Sequence, residues 1–337
     1  MSYSANELKR PLVDAVTRPA PTLDIVVPCF NEQDALPILI AHLETLGQGL
    51  VGAGLAASVR LVLVDDGSHD QTWRIIREAG DKHDVKGIRL SRNHGHQRAL
   101  LAGLWHSTAD VVISMDADLQ DDPSAVERML LDYRSGCDIV YGVRTSRAVD
   151  SRFKRTSARA YYGLLSRLGV DLVPDHADFR LMSRRALIEF AKFGESNLFL
   201  RGLIPHIGLH SSVVTYDRGE RVAGESKYPL GKMVALAIEG VTSLSVKPLR
   251  AIVIIGLAIS MLSFVSAIVA LVAWAVGETV SGWTSIVVPM FFLGGINLFA
   301  LGMIGEYVGK IYSETKQRPR FIVDDIVECD RKEAGRN

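Results

Sequence analysis

Apolar and polar positions alternate in two distinct rhythms along the first 230 residues. The run "LDIVVPCF" is short, apolar and β-rich, and "NEQDALPILIAHLETL" follows it, with Leu36, Leu39, Ile40 and Leu43 at helical spacing behind Asn31. That order predicts a strand, a turn, and then a helix capped by Asn31. "VRLVLVDDGSHDQTWRIIREAG" repeats it: an apolar strand ending in Asp65 and Asp66, a Gly-Ser turn, and a helix opening near Asp70. "GIRLSRNHGHQRALLAGLWHST" and "ADVVISMDADLQDDPSAVERMLLDY" repeat it twice more. Four strand–helix units in succession predict an α/β domain with a parallel sheet and crossover helices. In open sheets of this kind ligands bind beyond the carboxyl ends of the strands, which here read "PCFNE", "VDDGS" and "MDADLQ".

The last third has a different pattern. Residues 251–276 and 283–305 contain no charged side chain, and each stretch is long enough as a helix to cross a hydrocarbon core about 30 Å thick. Buried core helices are the alternative, but soluble helices seldom run so far without a polar face. Lys247 and Arg250 precede the first stretch, and Lys310, Lys316, Arg318 and Arg320 follow the second, whereas the connector carries only Glu278. The positive-inside rule therefore predicts two transmembrane helices within 249–306, with the N-terminal domain and both termini in the cytoplasm at the plasma membrane. Between domain and first span, Leu230, Met233, Val234, Ala237, Val241 and Leu244 form one apolar stripe. This predicts an interfacial amphipathic helix over 229–248, although a helix packed on the domain would read alike. Residues 1–21 read as a flexible tail ahead of the domain at 22–228, and 307–337 as a C-terminal extended segment and tail.

Composition changes this picture little. Lysine plus arginine and aspartate plus glutamate balance at 38 each, so nothing global points to nucleic acid. Cys29, Cys137 and Cys329 are odd in number, far apart and outside any zinc pattern, which fits a reducing compartment.

Candidate chemistry gathers at the strand ends. Asp116 and Asp118 stand two apart, so an extended segment points them the same way, where a hard divalent cation would relieve their repulsion. A D-x-D is weak alone, since acids often cap helices; Asp121 and Asp122 before Pro123 read as caps of the next helix. The second acidic strand end, "VDDGS", strengthens the signal. Between Arg144 and Arg185 lie ten basic residues against four acids, an excess suited to a phosphate or an anionic leaflet. Arg144, Lys154, Arg155 and Arg159 are the candidate phosphate ligands, a solvated basic face being the ordinary alternative.

Taken in order, "VVPCFNE", "VDDGSHDQT", "SRNHGHQRALLAGL", "MDADLQDDP", "GVRTSR", "DFRLMSRRAL" and "GESKYPLGKM", followed by two apolar stretches, resemble the polyprenyl-phosphate glycosyltransferases of glycosyltransferase family 2. That group includes bacterial undecaprenyl-phosphate glucosyltransferases and, more distantly, dolichyl-phosphate mannose synthase. The resemblance covers residues 22 to 325. It implies a Rossmann-like GT-A domain, a nucleotide-sugar donor, and Mg2+ or Mn2+. Carried over residue by residue, it implies that Pro28, Asn31, Glu32 and Asp65 line the nucleotide pocket, Asp65 at the base, and that Asp116, Asp118 and Gln120 hold the metal. Asp178 matches an acidic position of the bacterial members, as a base or an acceptor-orienting group, where mannose synthases often carry a small residue. Lys227 and Tyr228 fall in a loop expected to fold over the donor, and His94 and His96 in an element with a structural or diphosphate-side role. The QxxRW element of processive family 2 polymerases is missing, which favours transfer of a single sugar.

The expectation is an inverting, metal-dependent transferase with Asp178, Asp118 and Arg144 as catalytic residues. It would move one hexose, with UDP-glucose or another UDP-hexose preferred as donor, to undecaprenyl phosphate at the cytosolic membrane face. The alternatives are a mannose-synthase-like enzyme using GDP-mannose and a non-catalytic membrane accessory protein. The implied partners are the donor, the polyprenyl lipid and the membrane. A second copy of the chain, a flippase and a downstream transferase are left open. "RPRFIVDDIVE" reads as an extended segment able to pair with a neighbouring subunit.

Overall fold

The computed structural model describes residues 18–81, 84–118, 120–144, 176–195, 200–217, 247–276 and 283–328. They fall into two compact units, a sheet flanked by helices and a pair of long helices. The four expected strand–helix units are present: β1 (Thr22–Cys29) with α1 (Leu36–Gly52), β2 (Ser58–Asp65) with α2 (Thr72–Gly80), β3 (Val85–Leu90) with α3 (His96–His106), and β4 (Val111–Ser114) with α4 (Ser124–Arg134). After them come β5 (Ile139–Arg144), β6 (His176–Ser183), α5 (Arg184–Ala191), α6 (Leu200–His206) and β7 (Ser211–Tyr216).

The eight strands of the sheet run in the order β7-β5-β6-β4-β1-β2-β3-β8, where β8 is Val323–Glu328. β4, β1, β2 and β3 are mutually parallel. Strand order reverses between β1 and β4, which opens a crevice at their carboxyl ends. Central parallel strands are covered on both faces and so read as unbroken apolar runs; Leu23, Ile25, Val27, Leu61, Leu63, Val111 and Ile113 are all buried there. Leu36, Leu39, Ile40 and Leu43 face this core as their spacing predicted. α3 lies so close to the sheet that a Cβ on Gly103 would stand 2.3 Å from Val26 Cγ1, so only glycine permits the approach. This packing fixes where α3 begins, with His96 at its first turn.

Three expectations are corrected. Among the described residues no side chain caps α1: its N-cap position is Ala35, Pro37 sits in its first turn, and Asn31 lies earlier with φ of 55°. A short amide side chain tolerates that left-handed backbone, and Asn31 bonds a neighbouring loop instead. The C-terminal extended segment pairs within its own chain: β8 runs antiparallel to β3, with Ile88 opposite Ile326 and Lys86 opposite Glu328. It covers an edge that would otherwise expose a row of unpaired backbone groups. Arg60 fastens it, bonding Glu328 at 2.5 Å and the buried Asp24 at 2.8 Å. Finally, β5, β6 and β7 extend the sheet beyond the four units, with β6 antiparallel to both β4 and β5.

The second unit contains α7 (Lys247–Ala275) and α8 (Trp283–Thr315). α8 continues ten residues past Gly305, where the apolar stretch ends. Both helices present large apolar side chains outward, among them Ile254, Leu257, Phe264, Ile286 and Leu298. Among the described residues one segment, Phe292–Thr315, is long and apolar enough to cross a membrane. The expected tail over 1–17, and the interfacial helix up to residue 246, lie outside the described residues.

Candidate active site at the strand ends

Three loops are laced together at the carboxyl ends of β1, β2 and β3. The Asn31 N–H donates to Ser68 Oγ at 2.9 Å, and Asn31 Oδ1 accepts from the His69 N–H at 3.0 Å. The Glu32 N–H donates to Thr72 Oγ1 at 2.8 Å. Asp66 accepts the His94 and Gly95 N–H groups at 2.7 and 2.9 Å, tying the β2 loop to the start of α3. At Gly67, φ is +68° and a Cβ would meet the Arg92 backbone at 2.5 Å, so this junction requires glycine. Pro28 is buried in β1 opposite Val64, beyond the last β1–β4 pair at Val26 and Ser114. Asp65 is fully buried; its Oδ1 accepts the Ser68 N–H at 3.1 Å and its Oδ2 stands 3.8 Å from Arg89 Nε. Burial raises its pKa above the ordinary carboxylate value.

The D-x-D follows β4 directly. Asp116 and Asp118 are both partly exposed, and Gln120 is buried. Burial raises the pKa of Asp116; His96 opposes the rise, while the neighbouring Asp178 and Asp118 carboxylates add to it. Such a surplus of negative charge on oxygen ligands fits a hard divalent cation. A second geometric group overlaps the first: His96, Asp116 and Asp178 place one ligand atom each within 4.8 Å of one another. Asp178 is the poorer ligand of the two sets. Arg201 reaches its oxygens at 3.3 and 3.1 Å, Arg180 pairs with it from two positions along β6, and His96 Nε2 stands 3.2 Å away. Although burial opposes ionisation, these partners hold the Asp178 carboxyl well below the usual range. For His96, burial disfavours charging, yet the bond to Asp178 and the nearby Asp116 raise its pKa above the ordinary histidine value. A carboxylate held ionised this way is a weak proton acceptor and a strong electrostatic anchor.

Arg144 ends β5, and its Nη2 is 4.0 Å from Asp116 Oδ2 and 3.9 Å from Asp121 Oδ1. Asp122 accepts the Ser124 N–H at 2.9 Å at the start of α4, whose N-cap position is Pro123 and which has no side-chain cap among the described residues. Asp121 is not a cap either; it is buried and accepts the Tyr216 hydroxyl at 2.6 Å. The structure thus brings Asp116, Asp118, Gln120, Arg144 and Asp178 to one rim. Lys154, Arg155, Arg159, Lys227 and Tyr228 lie outside the described residues. Sequence reading missed Arg180, Arg201, Asp121 and Tyr216. Arg180 alone carried a signal, being two residues from Asp178 on a strand and so on the same face.

A model of glycosyl transferase family 2 matches residues 24–190. A Bacillus subtilis protein named uncharacterized glycosyltransferase YkoT is 47% identical over 308 residues, covering 90% of this chain and 91% of its own. The chain belongs to glycosyl transferase family 2. Another relative, the bactoprenol glucosyl transferase of Shigella phage SfX, is 38% identical over 312 residues, 89% of this chain and 98% of that protein. Among solved structures, the mannosyltransferase PcManGT of Pyrobaculum calidifontis with GDP-Man and Mn2+ overlaps 90% of this chain and 92% of its own, at 15% identity and a TM-score of 0.45. An overlap that loose carries no correspondence between sites. As a family 2 member the chain is a glycosyltransferase, and its sheet has the GT-A-like α/β arrangement. The alternative of a non-catalytic accessory protein is set aside.

Proposed function

We propose that this glycosyltransferase moves one sugar, with inversion, from a uridine-diphosphate hexose such as UDP-glucose to undecaprenyl or another polyprenyl phosphate at the cytosolic membrane face. The observation that carries this reading is the meeting of two charge sets at the crevice between β1 and β4: carboxylates from the parallel strands and Arg144 from β5. The likeness to a protein named bactoprenol glucosyl transferase supports the acceptor, and the apolar segment Phe292–Thr315 supports a membrane setting. On this reading 251–276 and 283–305 both span the bilayer, with the catalytic domain and both termini in the cytoplasm.

Asp116 and Asp118, with Gln120, would hold Mg2+ or Mn2+, which when bound neutralises charge on the departing diphosphate. Pro28, Asn31, Glu32 and Asp65 line the nucleotide side, and Lys227 would bind the donor as well. Arg144, with Lys154, Arg155 and Arg159, holds the acceptor phosphate. One acceptor oxygen bonds to the anomeric carbon from the face opposite the leaving group, while the bond from that carbon to the diphosphate breaks and its electron pair leaves with the nucleoside diphosphate. A phosphate monoester with a second pKa of about 6 is already mostly dianionic near neutrality, so no proton has to move. What the acceptor needs is placement. Asp178 therefore anchors Arg201 and His96 at the rim instead of serving as a base.

The test is a screen of labelled nucleotide sugars against undecaprenyl phosphate, using the full-length protein in detergent. One hexose donor is expected to yield a chloroform-soluble labelled lipid. Labelling of a different extracted lipid, with none of undecaprenyl phosphate, would overturn the acceptor assignment.

A further inference from the structure

Arg144 is a long, flexible side chain, and arginine carries about 2 kcal/mol of rotamer entropy, so its use at a site depends on what restrains it. Its last ladder partner is Tyr216, directly opposite across the parallel β5–β7 pair. Arg144 Nε donates to the Tyr216 hydroxyl at 3.2 Å, and that hydroxyl donates to Asp121 at 2.6 Å. The direction of this chain is forced. An ionised carboxylate only accepts and a guanidinium only donates, so the phenol must give its proton to Asp121 and offer its lone pair to Arg144. The ring cannot swing away, because it is 2% exposed and meets Phe179 edge-on at 5.1 Å between centroids. Arg128 also holds β7 in place, donating to the Thr215 carbonyl at 2.8 Å. With Nε tethered, Nη2 of Arg144 faces the acids of the rim, 3.9 Å from Asp121 and 4.0 Å from Asp116.

We infer that Tyr216 and Asp121 are positioning residues that hold the Arg144 guanidinium at the phosphate-handling edge of the active site. The inference rests on the reading of Arg144 as a phosphate-binding group. It goes further by assigning the specific placement of that group to a phenol and a buried carboxylate from two other elements. The competing view is that the Tyr216–Asp121 bond only staples β7 to the loop after β4.

A double-mutant cycle separates the two. Full-length Tyr216→Phe, Arg144→Ala and the combined variant are compared by kcat/KM for the lipid acceptor, with melting temperatures measured alongside. Tyr216→Phe keeps the ring packing and removes two hydrogen bonds to charged groups, the one from Arg144 and the one to Asp121, so it should lower kcat/KM about 10- to 100-fold. In the Arg144→Ala background the same change should cost less than about twofold, because the residue it positions is gone. Should Tyr216→Phe fail to fold, Asp121→Asn, which keeps an acceptor oxygen but loses the charge, runs the same cycle. Wild-type kcat/KM in the single variant, or losses that multiply in the combined one, would sink the positioning role. Wild-type turnover on undecaprenyl phosphate against total extracted lipid is the separate arm that tests the acceptor reading. If that reading fails, the cycle is run on whichever lipid the enzyme glycosylates.

Discussion

The two halves of the sheet contribute opposite chemistry. The parallel half, β3-β2-β1-β4, brings carboxylates to its strand ends: Asp65, Asp66, Asp116 and, just beyond, Asp118 and Asp121. The mixed half, β6-β5-β7, brings Arg144, Arg180 and Tyr216, with Asp178 as its one acid within the cluster. They join where β4 and β6 pair antiparallel, Ser114 opposite Arg180. The Ser114 hydroxyl donates to the Asp178 carbonyl across that seam at 2.5 Å. Division of labour of this kind suits a transferase of charged substrates: acids in one half to gather a cation, arginines in the other to hold phosphate.

Four perturbations sharpen the contrast, beginning with the largest. Asp116→Asn strikes the acidic half and should lower turnover about 1,000-fold or more, several kcal/mol of charge stabilisation being lost. Its unfolding midpoint should stay near wild type, since burial already works against the charge on this group. Asp178→Ala strikes the seam and should destabilise the fold by about 3–5 kcal/mol in chemical denaturation. It leaves the buried Arg180 without its Asp178 counterion, and among the described residues Nε and Nη1 of Arg180 already find no hydrogen-bond partner. Gly103→Ala pushes α3 off β1 and should cost about 1–3 kcal/mol, read in the same way. The smallest effect is expected at the far edge. Glu328→Gln removes ion pairs to Arg60 and Lys86 from a half-exposed position and should cost less than about 1 kcal/mol.

The same contrast governs how much is legible in the sequence alone. Each strand–turn–helix unit of the parallel half is local, so its apolar rhythm and its terminal acids appear side by side in "VDDGS" and "MDADLQ". The mixed half is assembled from a distance: Asp121 meets Tyr216 across 95 positions, and β6 inserts between β4 and β5 out of chain order. Within "SSVVTYD" Tyr216 is simply another aromatic of a strand. Asp121 reads as a helix cap because acids before proline usually are caps, and nothing local announces the ring that buries it. β8 was legible as an extended segment, but its partner was not, because edge pairing depends on which neighbour is free.

The account stands on a divalent cation held at the carboxylate rim. Transfer of hexose to undecaprenyl phosphate by the purified enzyme, measured before EDTA, after EDTA, and after restoring Mn2+ or Mg2+, tests it most directly. A fall of about 100-fold or more with chelator, reversed by the added ion, is predicted from the several kcal/mol such an ion supplies. Undiminished turnover in chelator, with the Asp116→Asn enzyme equally active, would contradict it.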